Sequence, residues 1–140
     1  MLRAFTAVVL PLLLAGCASN PAAESPAPGS ADDPVRARFI GRVAYDTCGK
    51  VALGQGETVA RTRAEWARLT AARTARAGAE LAISTPTTEG DPIVNYVRVN
   101  PDGTSEVFID PTADKFGGGQ GWMFSTCAKD FTTCGPGLFG

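Results

Sequence analysis

Four acidic side chains, Glu89, Asp91, Asp110 and Asp114, and four cysteines, Cys17, Cys48, Cys127 and Cys134, are the groups in this chain whose types could do chemistry. Clustered carboxylates supply the oxygen ligands that hard cations such as calcium prefer. Two of them facing one pocket can act as general acid and general base. Asp110 and Asp114 lack EF-hand spacing, however, and Glu89-Gly90-Asp91-Pro92 is fully explained as a turn. Gly90 can take positive φ, Asp91 can form an Asx-type turn, and Pro92 can open the next strand. The four carboxylates therefore form a candidate binding surface, with turn and cap chemistry as their expected use. No catalytic, metal or cofactor-binding residue is assigned.

The chain contains no histidine. That removes Ser-His-Asp and Cys-His catalysis, imidazole zinc sites and the usual near-neutral proton shuttle. The Gly-rich stretch 117–121 lacks a following Lys-Ser/Thr and a helix N-terminus, so it does not read as a phosphate cradle. Ser125 and Lys129 do not have Ser-x-x-Lys spacing.

Cys17 stands apart from the other thiols. Arg3 supplies a positive start, residues 4–14 are apolar, and Leu14-Ala15-Gly16 leads into the cysteine. The run is too short for a membrane span, which takes roughly 20 apolar residues. It has the shape of a secretory signal over residues 1–16. The Leu-Ala-Gly-Cys ending resembles bacterial lipoprotein signals, which implies a mature N-terminus at Cys17 carrying acyl chains, palmitate among them. Each buried CH₂ adds about 0.8 kcal/mol of membrane affinity, so several chains anchor firmly. Ala18, not an aspartate, follows the cysteine. In a cell with two membranes that permits transport to the outer one. The expected location is the extracytoplasmic side of the cell or outer membrane.

With Cys17 acylated, Cys48, Cys127 and Cys134 remain for one disulfide. A bond from Cys48 closes the longest loop and is expected, with Cys48–Cys127 favoured over Cys48–Cys134. Cys127–Cys134 is the short alternative. Lacking Cys-x-x-Cys spacing and a histidine, the leftover thiol is not expected to be catalytic.

These groups need elements to position them. At 140 residues and net charge −1, the chain has room for one domain and no electrostatic footprint for nucleic acid. Residues 17–34 are rich in Pro, Ala and Ser, and are expected to form a disordered tether reaching about 20–25 Å. The domain is expected over 35–140. Phe39, Ile40, Val43 and Tyr45 predict a first strand or short amphipathic segment. Thr62-Arg63-Ala64-Glu65 fits a capping box, predicting a helix over residues 63–77 with Gly78 as its C-terminal stop. Trp66, Leu69 and either Ala72 or Arg73 share its inner face.

Beyond Gly78 the period changes to two. Leu81, Ile83 and Thr85 alternate with polar or small residues, and residues 93–99 and 104–109 flank the turn Asn100-Pro101-Asp102-Gly103. Trp122-Met123-Phe124 begins a last strand, and the Gly-Pro-rich tail 132–140 is expected to be irregular. Tyr96 and Trp122 serve either as a binding surface or as packing residues. The predicted class is α+β, one helix on an antiparallel sheet of about four strands.

Thr87-Thr88-Glu89-Gly90-Asp91-Pro92-Ile93, followed by Asp110, Asp114-Lys115-Phe116-Gly117 and Cys127, resembles a family of small bacterial lipoproteins classed as a domain of unknown function. Its segments read Thr-x-Glu-Gly-Asp-Pro-Ile and Asp-x-x-x-Asp-Lys-Phe-Gly. Similar proteins often carry His-Gly where this chain has Cys48-Gly49. The resemblance implies a signal-led lipoprotein and brings no activity.

The functional expectation is a membrane-anchored, non-enzymatic binding module for an envelope protein or small ligand. The alternatives are a carboxylate-based hydrolase and a structural envelope component.

Overall fold

The computed structural model describes residues 32–117, 120–135 and 137–140. The expected signal peptide over 1–16, Cys17 and the expected tether as far as residue 31 lie outside the described residues.

The first element is a helix, α1 (Pro34–Ile40). Asp33 caps it, its Oδ1 accepting from the amides of Val35 at 2.9 Å and Arg36 at 3.1 Å. Pro34 supplies a pre-set φ at the first helical position. Composition alone places both residues in the tether. The Asp-Pro pair is instead a helix start, and that start converts the expected strand or amphipathic segment into a short helix.

β1 (Asp46–Ala52) follows, then α2 (Ala64–Ala75) and β2 (Ala79–Pro86). The remaining strands are β3 (Pro92–Val99), β4 (Ser105–Asp110) and β5 (Met123–Thr126). They form one five-stranded sheet in sequence order. The class is α+β, as expected, but the sheet is mixed: β1 runs parallel to β2, and the other pairings are antiparallel. A helical crossover between adjacent strands makes them parallel, and α2 is that crossover. β1 hides in the sequence because it is polar and interrupted. Gly49, at φ 122°, sits where the register shifts beside Thr47.

α2 begins one residue later than expected and without the capping box. Its N-cap is Arg63, which makes no side-chain cap bond. Glu65 instead accepts from Arg63 Nε at 3.2 Å. The helix stops at Arg76, in the left-handed conformation at φ 53°. Gly78 is not the stop but makes room for an aromatic ring, since a Cβ there would collide with Tyr45.

α2 covers one face of the sheet. Leu69 is fully buried against Leu81, Ile83, Val97, Val99 and Val107, with Trp66 and Ala72 packed beside it. Burying an aliphatic side chain of this size contributes about 1.5–3 kcal/mol. The tail completes this layer. Phe131 and Phe139 each meet Trp66 edge-on, at 5.5 and 5.3 Å between centroids, and Phe139 bridges to Val59. The tail is therefore part of the core, although part of it is irregular.

The disulfide joins Cys127 and Cys134, not Cys48 and Cys127. β1 and β5 are opposite edges of the sheet, so Cys48 on β1 is separated from Cys127 by the whole sheet width. Cys48 is a free, buried thiol packed in the core. The short bridge holds the turn Phe131–Thr133, and through it Phe131, against the core.

Candidate functional site

All four sequence-selected carboxylates lie at one end of the sheet, where β2 turns into β3 and β4 leaves for the 111–117 loop. Each lies in or beside a turn. Asp91 Oδ2 accepts from the Lys115 amide at 3.1 Å, and its Oδ1 is 3.5 Å from Lys115 Nζ. Asp110 Oδ1 accepts from both the amide and the hydroxyl of Thr112, at 3.0 and 2.6 Å. Asp114 Oδ1 accepts from the amides of Phe116 and Gly117, at 3.0 and 2.8 Å. Glu89 is exposed in the β2–β3 turn. Lys115 draws the two loops together, but among the described residues no group of three His, Cys, Asp or Glu is arranged to hold a metal ion.

Beside these turns, on the α2 side of the sheet, opens a cleft of about 480 Å³. That volume lies within the range of small-molecule sites. Residues 54–58 form one wall, and Gly135, Gly137 and Leu138 of the tail form another. The ends of three strands contribute Thr85, Ile93, Asn95 and Ile109. Gln55 Nε2 donates to Thr87 O at 3.2 Å, tying the loop to the β2–β3 turn. Glu57 Oε2 accepts from the Gly54 amide at 2.7 Å, which closes that loop on itself. Asn95 is only 6% exposed. Sequence reasoning missed it, although a signal is present: Ile93, Asn95, Val97 and Val99 share one face of β3, and an amide interrupts that aliphatic row.

Compared with family models, curated proteins and solved structures, the chain matches none. Its own geometry must therefore carry the functional reading.

The opposite face of the sheet is covered by α1. Phe39 packs between Tyr96 and Trp122, with centroids at 4.5 and 4.6 Å, and Tyr96 and Trp122 are parallel to within 7°. Both rings are half-buried packing residues. Burial raises the Tyr96 pKa, Asp110 and Glu80 raise it further, and Arg42 opposes them.

An alternating charge network holds α1 and the following segment to this face. Arg42 makes two bonds to Glu80, at 2.8 Å each. Arg98, with a side chain 4% exposed, lies between Glu80 and Glu106 and donates to the Val43 carbonyl at 2.6 Å. Its guanidinium sits 4.3 Å from the Tyr45 ring centroid. Every charge here has an opposite neighbour, as buried charges require. The network is a clamp, and its arginines are not free for a ligand.

Asp33 links this face to the carboxylate end. Its Oδ2 accepts from the Trp122 amide at 2.7 Å. The chain therefore enters the domain at the end of the sheet where the cleft opens, on the opposite face. Cys48 offers little chemistry. Burial raises its pKa, Arg68 lowers it and Asp46 raises it, with a net upward shift that disfavours the thiolate.

Proposed function

We propose that this chain is a membrane-anchored extracytoplasmic lipoprotein whose domain is a non-enzymatic binding module. Lipidation at Cys17 follows from the Leu14-Ala15-Gly16-Cys17 signal and agrees with the resemblance to small lipoproteins of unknown function. Residues 17–31 then separate the lipid from the capped start of α1.

One observation supports binding over catalysis. Asp91, Asp110 and Asp114 direct carboxylate oxygens at amides and hydroxyls of nearby loops. A two-carboxylate hydrolase needs a pair facing one substrate bond. The adjoining cleft has a different character, with aliphatic walls and isolated polar groups. That is the usual composition of a site that holds a ligand. Its mouth shares the end of the sheet at which the tether arrives, so bound cargo is held near the membrane surface.

The test has two parts. Mass spectrometry of the mature protein should find an acylated Cys17 at the N-terminus. Crosslinking in intact cells, followed by capture of the anchored protein, should retain a stoichiometric protein or small molecule. An empty capture supports a spacing role and overturns the binding reading. A mature N-terminus at Met1 overturns the anchor.

A further inference from the structure

The longer polar side chains of the cleft are already engaged. Glu57 is the one charged side chain in the lining, and its Oε2 is turned back to the Gly54 amide at 2.7 Å. Asn95 Nδ2 donates to the Ile83 carbonyl, and Gln55 Nε2 to the Thr87 carbonyl. Ile93, Ile109 and Leu138 supply the aliphatic lining, with Pro86 and the glycines 135 and 137 beside them. A ligand gains here by burying hydrocarbon, not by pairing charge.

The apolar surface continues beyond the cleft. Met123 stands opposite Ile109 in the β4–β5 register, so the two side chains share a face. Met123 is 40% exposed and carries the aliphatic wall outward to the edge strand. Phe116, 72% exposed, lies in the loop after β4, which the bond from the Lys115 amide to Asp91 holds to the β2–β3 turn. Trp122, next to Met123 in the chain, is where Asp33 ties the start of α1 to the sheet. With Cys17 anchored, a flexible tether keeps the lipid surface within about 20–25 Å of that edge.

Charge narrows the head of the ligand. Glu89, Asp91, Asp110 and Asp114 lie at this end of the sheet, and Lys115 is paired with Asp91. An anionic headgroup would meet like charge there. We propose that the cleft takes one acyl chain of a membrane lipid without net negative charge, entering past Met123 with its headgroup left outside. The proposal rests on the reading of the domain as an anchored binding module and assigns that module its site and ligand class.

Mature protein in phosphatidylcholine nanodiscs, containing some phosphatidylcholine with a diazirine at its acyl-chain end, tests it. On illumination the lipid should attach to peptides carrying Ile93, Ile109 or Leu138, at most one per chain. A diazirine on the headgroup should leave those peptides unlabelled. Phosphatidylglycerol nanodiscs with the same acyl-chain probe should label them severalfold less, and added salt should restore the label. Met123→Glu, at an exposed edge position, should lower the label about tenfold with the melting temperature unchanged, because a charge now guards the apolar entry. The proposal is overturned if the cleft peptides stay unlabelled, if the headgroup probe or phosphatidylglycerol labels them equally well, or if Met123→Glu labels like wild type. Labelling by a diazirine fatty acid from solution, with the embedded lipid silent, overturns it in favour of a free amphiphile. Cellular capture separates this assignment from the module reading. A retained partner with cleft peptides unlabelled leaves the module standing and removes the lipid from it, whereas an empty capture with no label takes down both.

Discussion

Arg98 donates from Nη1 to Glu106 Oε1 at 2.7 Å across β3 and β4, and only 4% of its side chain reaches solvent. This pair sits under Tyr45 and beside Glu80, so the short segment after α1 is clamped to the sheet through one buried guanidinium. Removing a single member leaves its partners charged and desolvated.

Arg98→Ala is therefore expected to destabilise by about 3–5 kcal/mol, the range for stranding a buried charge. Urea unfolding measures it. A double variant, Arg98→Met with Glu106→Leu, should recover part of the loss. If the single variant unfolds at the wild-type midpoint, the clamp is not a stabilising device.

Asp33 gives the domain an acid-sensitive joint. Burial raises its pKa, but amide hydrogen bonds from Arg36, Trp122 and Val35 together outweigh it, and the carboxyl rests below its ordinary value. A depressed folded pKa means that its stabilisation is full above the unfolded pKa and is lost as pH falls through the folded one. That loss begins below about pH 4. Asp33→Ala should cost about 1–2 kcal/mol at neutral pH through the lost cap. Asp33→Asn should cost less and flatten the acid limb of the stability curve.

The disulfide closes a short loop, with a sequence separation of 7. Chain entropy for such a loop gives about 2.5 kcal/mol. Replacing Cys127 and Cys134 together by serine should lower stability by roughly that amount, read by urea unfolding, and should raise the proteolytic sensitivity of the tail. Alkylation of the oxidised protein should label Cys48 only after denaturation, because it is 4% exposed.

Leu69 is the fully buried contact of α2 with the sheet. Leu69→Ala should destabilise by about 3 kcal/mol or more, through lost burial and the cavity left behind. A loss under about 1 kcal/mol in thermal or urea unfolding would mean that α2 is not anchored where it lies.

At the carboxylate end, Lys115 is 78% exposed in its ion pair with Asp91. Asp91→Asn should therefore change stability by less than about 1 kcal/mol. Millimolar calcium should leave the melting temperature where it was. A calcium-dependent rise abolished by Asp91→Asn would reverse the turn-and-cap reading of these residues.

The helix α2, the strands β2 to β4 and the turn at Asn100-Pro101-Asp102-Gly103 were legible because each writes a local period or a local breaker. Trp66 and Leu69 were likewise visible as an inner face, and the structure chose Ala72 over Arg73 to complete it. β1 was not, because its hydrophobic signal is thin and its pairing depends on where α2 returns the chain. The four carboxylates were found by type, and their common location at one end of the sheet came from the turns they occupy. Asn95 was missed because a polar residue within an apolar row reads as noise until its side is known to be buried.

Local physics in the sequence determined the elements that have a period of their own, the absence of imidazole chemistry, and the turn role of the Gly90-Asp91-Pro92 segment. Tertiary structure alone decided the cysteine pairing, the parallel edge of the sheet, the α1 clamp and the gathering of strand ends, the 54–58 loop and the tail around one cleft. Propensities and breakers act over a few residues. Sulfur atoms, buried charges and cleft walls are brought together by the order of strands across a sheet, and that order is a property of the whole chain.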